Sequence, residues 1–151
     1  MRNVLLLSIK PQYARKIFDG TKTVELRRIK PKHLNDGDLI WVYESAPVKA
    51  LVGTFEVEKV IEESVGQLWK KVQKKSALSK QEYNSYFQGT SIGVAIFISR
   101  FWELTDPIPL ESLRQESYSF TPPQSFRYVT GLELNFVNQL RYYQKELNIP
   151  N

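Results

Sequence analysis

Two runs of β-forming residues, Ala50 to Ile61 and Ser91 to Leu104, dominate the middle of this 151-residue chain and limit what it can fold into. The first carries Val52, Phe55, Val57 and Val60 with the alternating character of a half-buried strand. The second is dense in Val, Ile, Phe and Trp. The β segments of the chain are not regularly separated by helical patterns, which argues against a doubly wound or dinucleotide-binding sheet. No GxGxxG or Walker-type loop is present to cradle a phosphate. The expected class is therefore α+β: a small mixed β-barrel of five or six strands with short peripheral helices.

The remaining elements follow from period and punctuation. Asn3 to Ile9 is a continuous apolar run of strand length. Pro11 suits a first helical position, Tyr13, Ala14, Ile17 and Phe18 supply an apolar face, and Gly20 stops the helix. Lys22 to Ile29 alternates as a strand, and Asn35-Asp36-Gly37-Asp38 is a tight turn leading into the strand Leu39 to Tyr43. Ser64 to Gln67 and Ser79 to Glu82 both have capping-box form ahead of short helices. Pro107, Pro109 and Pro122-Pro123 predict irregular structure over most of a closing segment, 106–130. Leu132, Phe136, Leu140, Tyr143 and Leu147 fall on one face of a C-terminal amphipathic helix over 131–148. No linker divides the chain, so one domain over 1–151, with its core in 1–105, is the economical reading.

Composition excludes several chemistries. There is no cysteine and a single histidine, His33, which removes disulfides, thiolate nucleophiles and the usual zinc and Ser-His-Asp constellations. The expectation is no metal and no cofactor. The apolar run Val4 to Leu7 is too short for a signal peptide, and no stretch reaches the ~20 apolar residues of a membrane span. A cytoplasmic protein without membrane contact is expected. A net charge of +5 favours phosphate-bearing partners only weakly.

Ser8-Ile9-Lys10-Pro11, Tyr13, Ala14, Ile17 and the block Gly20-Thr21-Lys22-Thr23-Val24-Glu25-Leu26-Arg27-Arg28 together resemble the ASCH domain signature. Asp36-Gly37-Asp38 and, later, Ala95 and Ile98 extend the resemblance over roughly the first two-thirds of the chain. Tyr43 to Pro47 and Phe120 to Tyr128 look like an uncharacterised bacterial subgroup. The resemblance implies a PUA-like pseudo-barrel and an RNA or modified-nucleotide ligand. It also implies that some relatives catalyse, as amidohydrolases on N4-acetylcytidine or as ribonucleases. The amidohydrolase branch reads Gly-x-Lys-Thr-x-Thr-x-Arg with the second Thr as proposed nucleophile. Glu25 occupies that slot here, so that chemistry does not carry over intact.

On a strand, Glu25 and Arg27 share a face opposite Val24 and Leu26, and so are expected to project outward together. With Lys22, and Lys10 nearby, they form a trio able to hold a base. The carboxylate accepts from an exocyclic amine, the guanidinium clamps a phosphate or base edge, and the lysine supplies charge or a proton. The bland alternative is a surface cross-strand ion pair. Gln124, Ser125, Phe126, Arg127 and Tyr128 follow the proline pair and could stack on and hydrogen-bond a base, or simply plug the barrel. Tyr43 and Ser45 end a strand where a barrel mouth would lie. Lys70-Lys71 and Lys74-Lys75 make a basic helix face, solvated or phosphate-binding. The leading function is an RNA- or nucleotide-binding module. An enzyme with Lys22 and Glu25 as acid–base pair, and a protein-interaction module in transcription or translation control, are the rivals.

Overall fold

The computed structural model describes residues 3–116 and 120–135. In chain order these form β1 (Val4–Ile9), α1 (Pro11–Phe18), β2 (Val24–Arg27), β3 (Leu39–Glu44), β4 (Ala50–Ser64), α2 (Val65–Val72), α3 (Lys80–Tyr86), β5 (Ile92–Pro109), α4 (Leu110–Glu116) and β6 (Phe126–Tyr128). The strands make one six-stranded sheet in the order β2-β5-β4-β3-β1-β6. Only β1 and β3 run parallel; every other pairing is antiparallel. The mixed sheet curls into an open barrel with short helices around it, the α+β architecture expected from the sequence.

Burial on both faces explains the composition of the strands. In β1, Leu5, Leu7 and Ile9 enter the main core while Leu6 enters a second cluster on the opposite side. In β3, Ile40 and Val42 divide from Trp41 and Tyr43 in the same way. Strands covered on both sides read as continuous apolar runs, as these do. The long β5 changes its outer cover along its length. Ala95 and Phe97 pack under α2 and α3, whereas Leu104 and Ile108 pack with α4 and Phe120.

Local rules account for the joints. Pro11 opens α1, and Gly20, at φ +86°, lies just past its end. Gly53 sits at a shift in the β4–β5 register, where a Cβ would come within 2.5 Å of both the Phe18 ring and the Trp102 carbonyl oxygen. The carbonyl cannot yield, so only glycine lets α1 pack this closely. The Ser79–Glu82 capping box forms in full. The one expected at Ser64 does not: Ser64 is still paired with Ile92 in the sheet, and the Val65 N–H donates to the Ser91 carbonyl instead.

The Pro-rich stretch is more regular than its sequence suggests. β5 runs on through Pro107 to Pro109, pairing with Ala50 and Leu51. The prolines are tolerated because β2 flanks β5 only at Val94 to Phe97, leaving the later part an edge that needs no donor on that side. α4 then follows, and Phe126–Tyr128 adds a short strand to β1. Residues 131–135 are helical; the remainder of the expected C-terminal helix lies outside the described residues. Among the described residues no helix is long and apolar enough to cross a membrane.

Candidate functional site

β2 is only four residues long, and its edge position in the sheet sets the geometry of the site. Val24 and Leu26 pack under α2 and α3, as their alternation requires. Glu25 and Arg27 pair in register with Ile96 and Val94, which belong to the main core. They therefore face the barrel interior and not bulk solvent. The expectation that they project outward is corrected here, because helices cover the other side of β2. Glu25 is only 6% exposed.

Arg27 bonds Glu25 on its own strand, with Nε and NH2 at 3.0 and 2.7 Å from Oε2. The ion pair is thus within β2 and is not a cross-strand surface pair. The same guanidinium reaches over the open seam of the barrel, to the Ser8 carbonyl at 3.1 Å and Ser125 Oγ at 3.3 Å. β6 pairs with Leu5 to Leu7 and the Ser8 N–H still donates to the Ser125 carbonyl at 3.1 Å, so the seam opens at Ile9. Lys22 precedes the strand, so alternation does not govern it. It is buried, with Nζ donating to the Ser76 carbonyl at 2.7 Å and lying 3.9 Å from Glu25 Oε1. Burial pushes the Lys22 ammonium below the usual lysine range, against the opposing pull of Glu25.

These groups border a cleft of about 690 Å³, a size suited to a small organic ligand. One wall is Ser8, Ile9 and Lys10 with Tyr13; the other is α3, contributing Gln81, Glu82, Ser85 and Tyr86. Gln124 and Ser45 complete the rim. Tyr86 is 36% exposed, and its hydroxyl donates to the Leu26 carbonyl at 3.1 Å. Arg28 lies over the Tyr86 ring and also bonds the Tyr86 carbonyl. A tyrosine fixed at both ends in this way offers a partly open aromatic surface beside the carboxylate. Burial raises its hydroxyl pKa, so it stays a neutral donor.

Glu25 Oε2 is committed to Arg27, while Oε1 has no hydrogen bond among the described residues. The cleft thus combines an open carboxylate oxygen, a neighbouring amine or ammonium, an aromatic ring and the amides of Gln81 and Gln124. Such a set can accept from an exocyclic amine, donate to a ring nitrogen or carbonyl, and stack on a planar ring. Among the described residues no group of three or more His, Cys, Asp or Glu is placed to hold a metal ion.

Of the residues singled out in the sequence, the structure brings Lys10, Lys22, Glu25, Arg27, Ser45 and Gln124 to this cleft, with Ser125 bonded to Arg27 at its edge. It does not bring Tyr43, Phe126, Arg127 or Tyr128. Tyr43 is 3% exposed and packs near Phe120, because its place in β3 points it into the second cluster. Phe126 and Tyr128 pack against the main core, with the Tyr128 hydroxyl bonded to the Lys32 carbonyl. Arg127 is paired with Glu133 and lies over Phe120. The aromatic segment is largely barrel closure; Tyr118 and Ser119 lie outside the described residues. The wall from α3 was not anticipated. Its one legible signal was that Gln81, Ser85 and Tyr86 lie off the apolar face defined by Tyr83 and Phe87.

The ASCH domain family model matches residues 7–114 of the chain. The chain is 34% identical over 128 residues to a protein of Zymomonas mobilis named an ASCH domain-containing ribonuclease, with 85% of each chain covered. A crystal structure of ASCH from Zymomonas mobilis superposes with a TM-score of 0.86 at 31% identity, covering 93% of this chain and 96% of that one. Human THYN1, solved in complex with 5-methylcytosine-containing DNA, shares the fold at a TM-score of 0.56 and 12% identity, over 91% of this chain and 96% of its own.

Proposed function

Because the chain belongs to the ASCH domain family, we propose that it is an RNA-binding protein whose cleft takes in one nucleotide of a single strand. The observation that carries this reading is Glu25, a carboxylate buried at the floor of a ligand-sized cleft with one oxygen still open. That oxygen faces the cleft, where a ligand donor can replace the water that otherwise satisfies it. Glu25 accepts from the exocyclic amine of a base, Lys22 donates beside it, and Tyr86 stacks on the ring. Lys10 and Gln124 sit at the rim, where the sugar and phosphate leave. A cytosine fits this order of donors and acceptors. The Zymomonas relative's name, a ribonuclease, supports RNA as the nucleic acid.

Filter binding of transfer RNA and of short single strands across a salt series tests this. Arg27→Ala and Lys22→Ala are expected to lower affinity at least about tenfold, the worth of one hydrogen bond to a charged group. Wild-type affinity in both variants would remove the cleft from consideration.

A second reading, an RNA-cleaving enzyme at the same cleft, is favoured by Lys22. An amine whose hold on its proton is weakened by burial, 3.9 Å from a carboxylate, has the makings of an acid–base pair. The name of the Zymomonas relative points the same way. Incubation of end-labelled RNA with the wild type and Glu25→Gln separates the readings. Cleavage that disappears in the variant supports the enzyme; an intact substrate with tight binding leaves the binding module.

A further inference from the structure

We propose that Lys59 and Lys75 form a phosphate track that carries the backbone of a single RNA strand away from the cleft, an inference that rests on the RNA reading above. Lys59 follows an irregularity in β4: Val57 pairs with Ile98 and Lys59 with Phe97, which leaves Glu58 as the extra residue. A bulge of this kind re-aims the side chains beyond it. Lys75 lies three residues past the end of α2, so Lys74 and Lys75 are not part of a basic helix face. The two ammonium groups converge on one ring, with Nζ of Lys59 at 4.8 Å and Nζ of Lys75 at 5.5 Å from the centre of Phe97.

Both lysines are exposed, and among the described residues neither has a carboxylate partner. Their basic neighbours differ in this: Lys71 is tied to Glu63 at 2.6 Å and Arg100 to Glu56 at 3.1 Å. The Phe97 ring attracts both ammonium groups, while their like charges repel unless an anion neutralises them.

The segment that carries Lys75 also reaches the cleft. The Lys75 carbonyl accepts from Thr23 N at 2.8 Å, the Ser76 carbonyl from Lys22 Nζ at 2.7 Å, and the Ala77 carbonyl from Lys16 Nζ at 3.4 Å. Leu78, the next residue, borders the cleft. Four consecutive residues therefore lead from the Phe97 ring to the site. Lys16 adds a third positive charge along the way. Ala77 is held at φ +59°, a left-handed conformation that a non-glycine residue adopts at a cost, so these hydrogen bonds fix the path. A strand with one base in the cleft must lay its phosphates somewhere, and paired point charges without base contacts suit a sequence-independent backbone.

The test compares the full chain and Lys59→Gln/Lys75→Gln in binding a labelled dodecamer of cytidylate and cytidine 5′-monophosphate. The double variant is expected to lower the slope of log K against log salt for the dodecamer by ~1.4, two phosphates' worth for a single strand. Monophosphate binding should stay unchanged, as should the slope in the charge-matched Lys70→Gln/Lys71→Gln. If the double variant melts early, each single variant should instead lose about 0.7 of slope. An unchanged dodecamer slope overturns the track while leaving the cleft. Equal losses for the monophosphate, or in the charge-matched control, overturn it too. Failure of the wild type to bind either probe overturns the cleft reading and the track together.

Discussion

At Glu133 and at Glu25 an arginine meets a buried carboxylate at nearly the same distance, 2.8 and 2.7 Å. Around Glu133 both carboxylate oxygens are hydrogen-bonded. Oε1 accepts from Arg127 NH1 at 2.8 Å and from Thr130 N at 2.9 Å, and Oε2 accepts from Arg127 NH2 at 2.8 Å. Arg127 in turn donates to the carbonyls of Thr121 and Tyr128 and lies over Phe120. Around Glu25 the arginine takes one oxygen only, and the other faces a lysine too far away for a hydrogen bond. The first pair is a finished staple for the closing segment. The second is unfinished and opens on a cavity, which separates a structural pair from a binding group better than burial or distance does.

The contrast makes the two carboxylates fail differently. Glu133→Ala should be the most damaging change, costing about 3 kcal/mol in urea unfolding, because the Arg127 guanidinium loses its partner. Its folded fraction should bind RNA as the wild type does. Lost binding with unchanged stability would instead move the ligand site to that end of the molecule. Glu25→Gln should behave in the opposite sense. Stability should change by about 1 kcal/mol or less, while affinity for single-stranded RNA falls roughly tenfold to a hundredfold with the loss of a charge-assisted bond.

The smallest expected effect is in acid. Burial pushes the Glu133 carboxyl up, but its bonds from Arg127 and Thr130 outweigh this and hold it below the usual carboxylate range. A carboxylate depressed in the folded state contributes stability above its unfolded pKa of about 4.3. That contribution is lost as pH falls through the lower folded value. The urea midpoint of Glu133→Gln, followed from neutral pH downward, should therefore decline less steeply than that of the wild type. Parallel curves would show that the staple contributes nothing specific in acid.

The fold was largely legible, because two-sided burial writes continuous apolar runs and the α1 terminus is marked by Pro11 and Gly20. The edge status of late β5 was not, since a proline at an edge and a proline in a loop look alike in sequence. Half of the site was legible for a similar reason. Lys22, Glu25 and Arg27 sit within six residues, and alternation puts Glu25 and Arg27 on one face. Which face is open depends on where α3 docks, some sixty residues away, as the Tyr86–Leu26 bond records. Tyr43 misled because its strand is buried on both sides, so alternation alone could not show that neither side lines a mouth.

Titration of isotope-labelled protein with cytidine 5′-monophosphate, followed by backbone amide shifts, tests the difference between the two carboxylates most directly. The predicted result is movement at Ser8 to Lys10, at Lys22 to Arg27, along α3 and at Gln124, with Arg127, Thr130 and Glu133 silent. Movement centred on Arg127 to Glu133, with Lys22 to Arg27 silent, would contradict it.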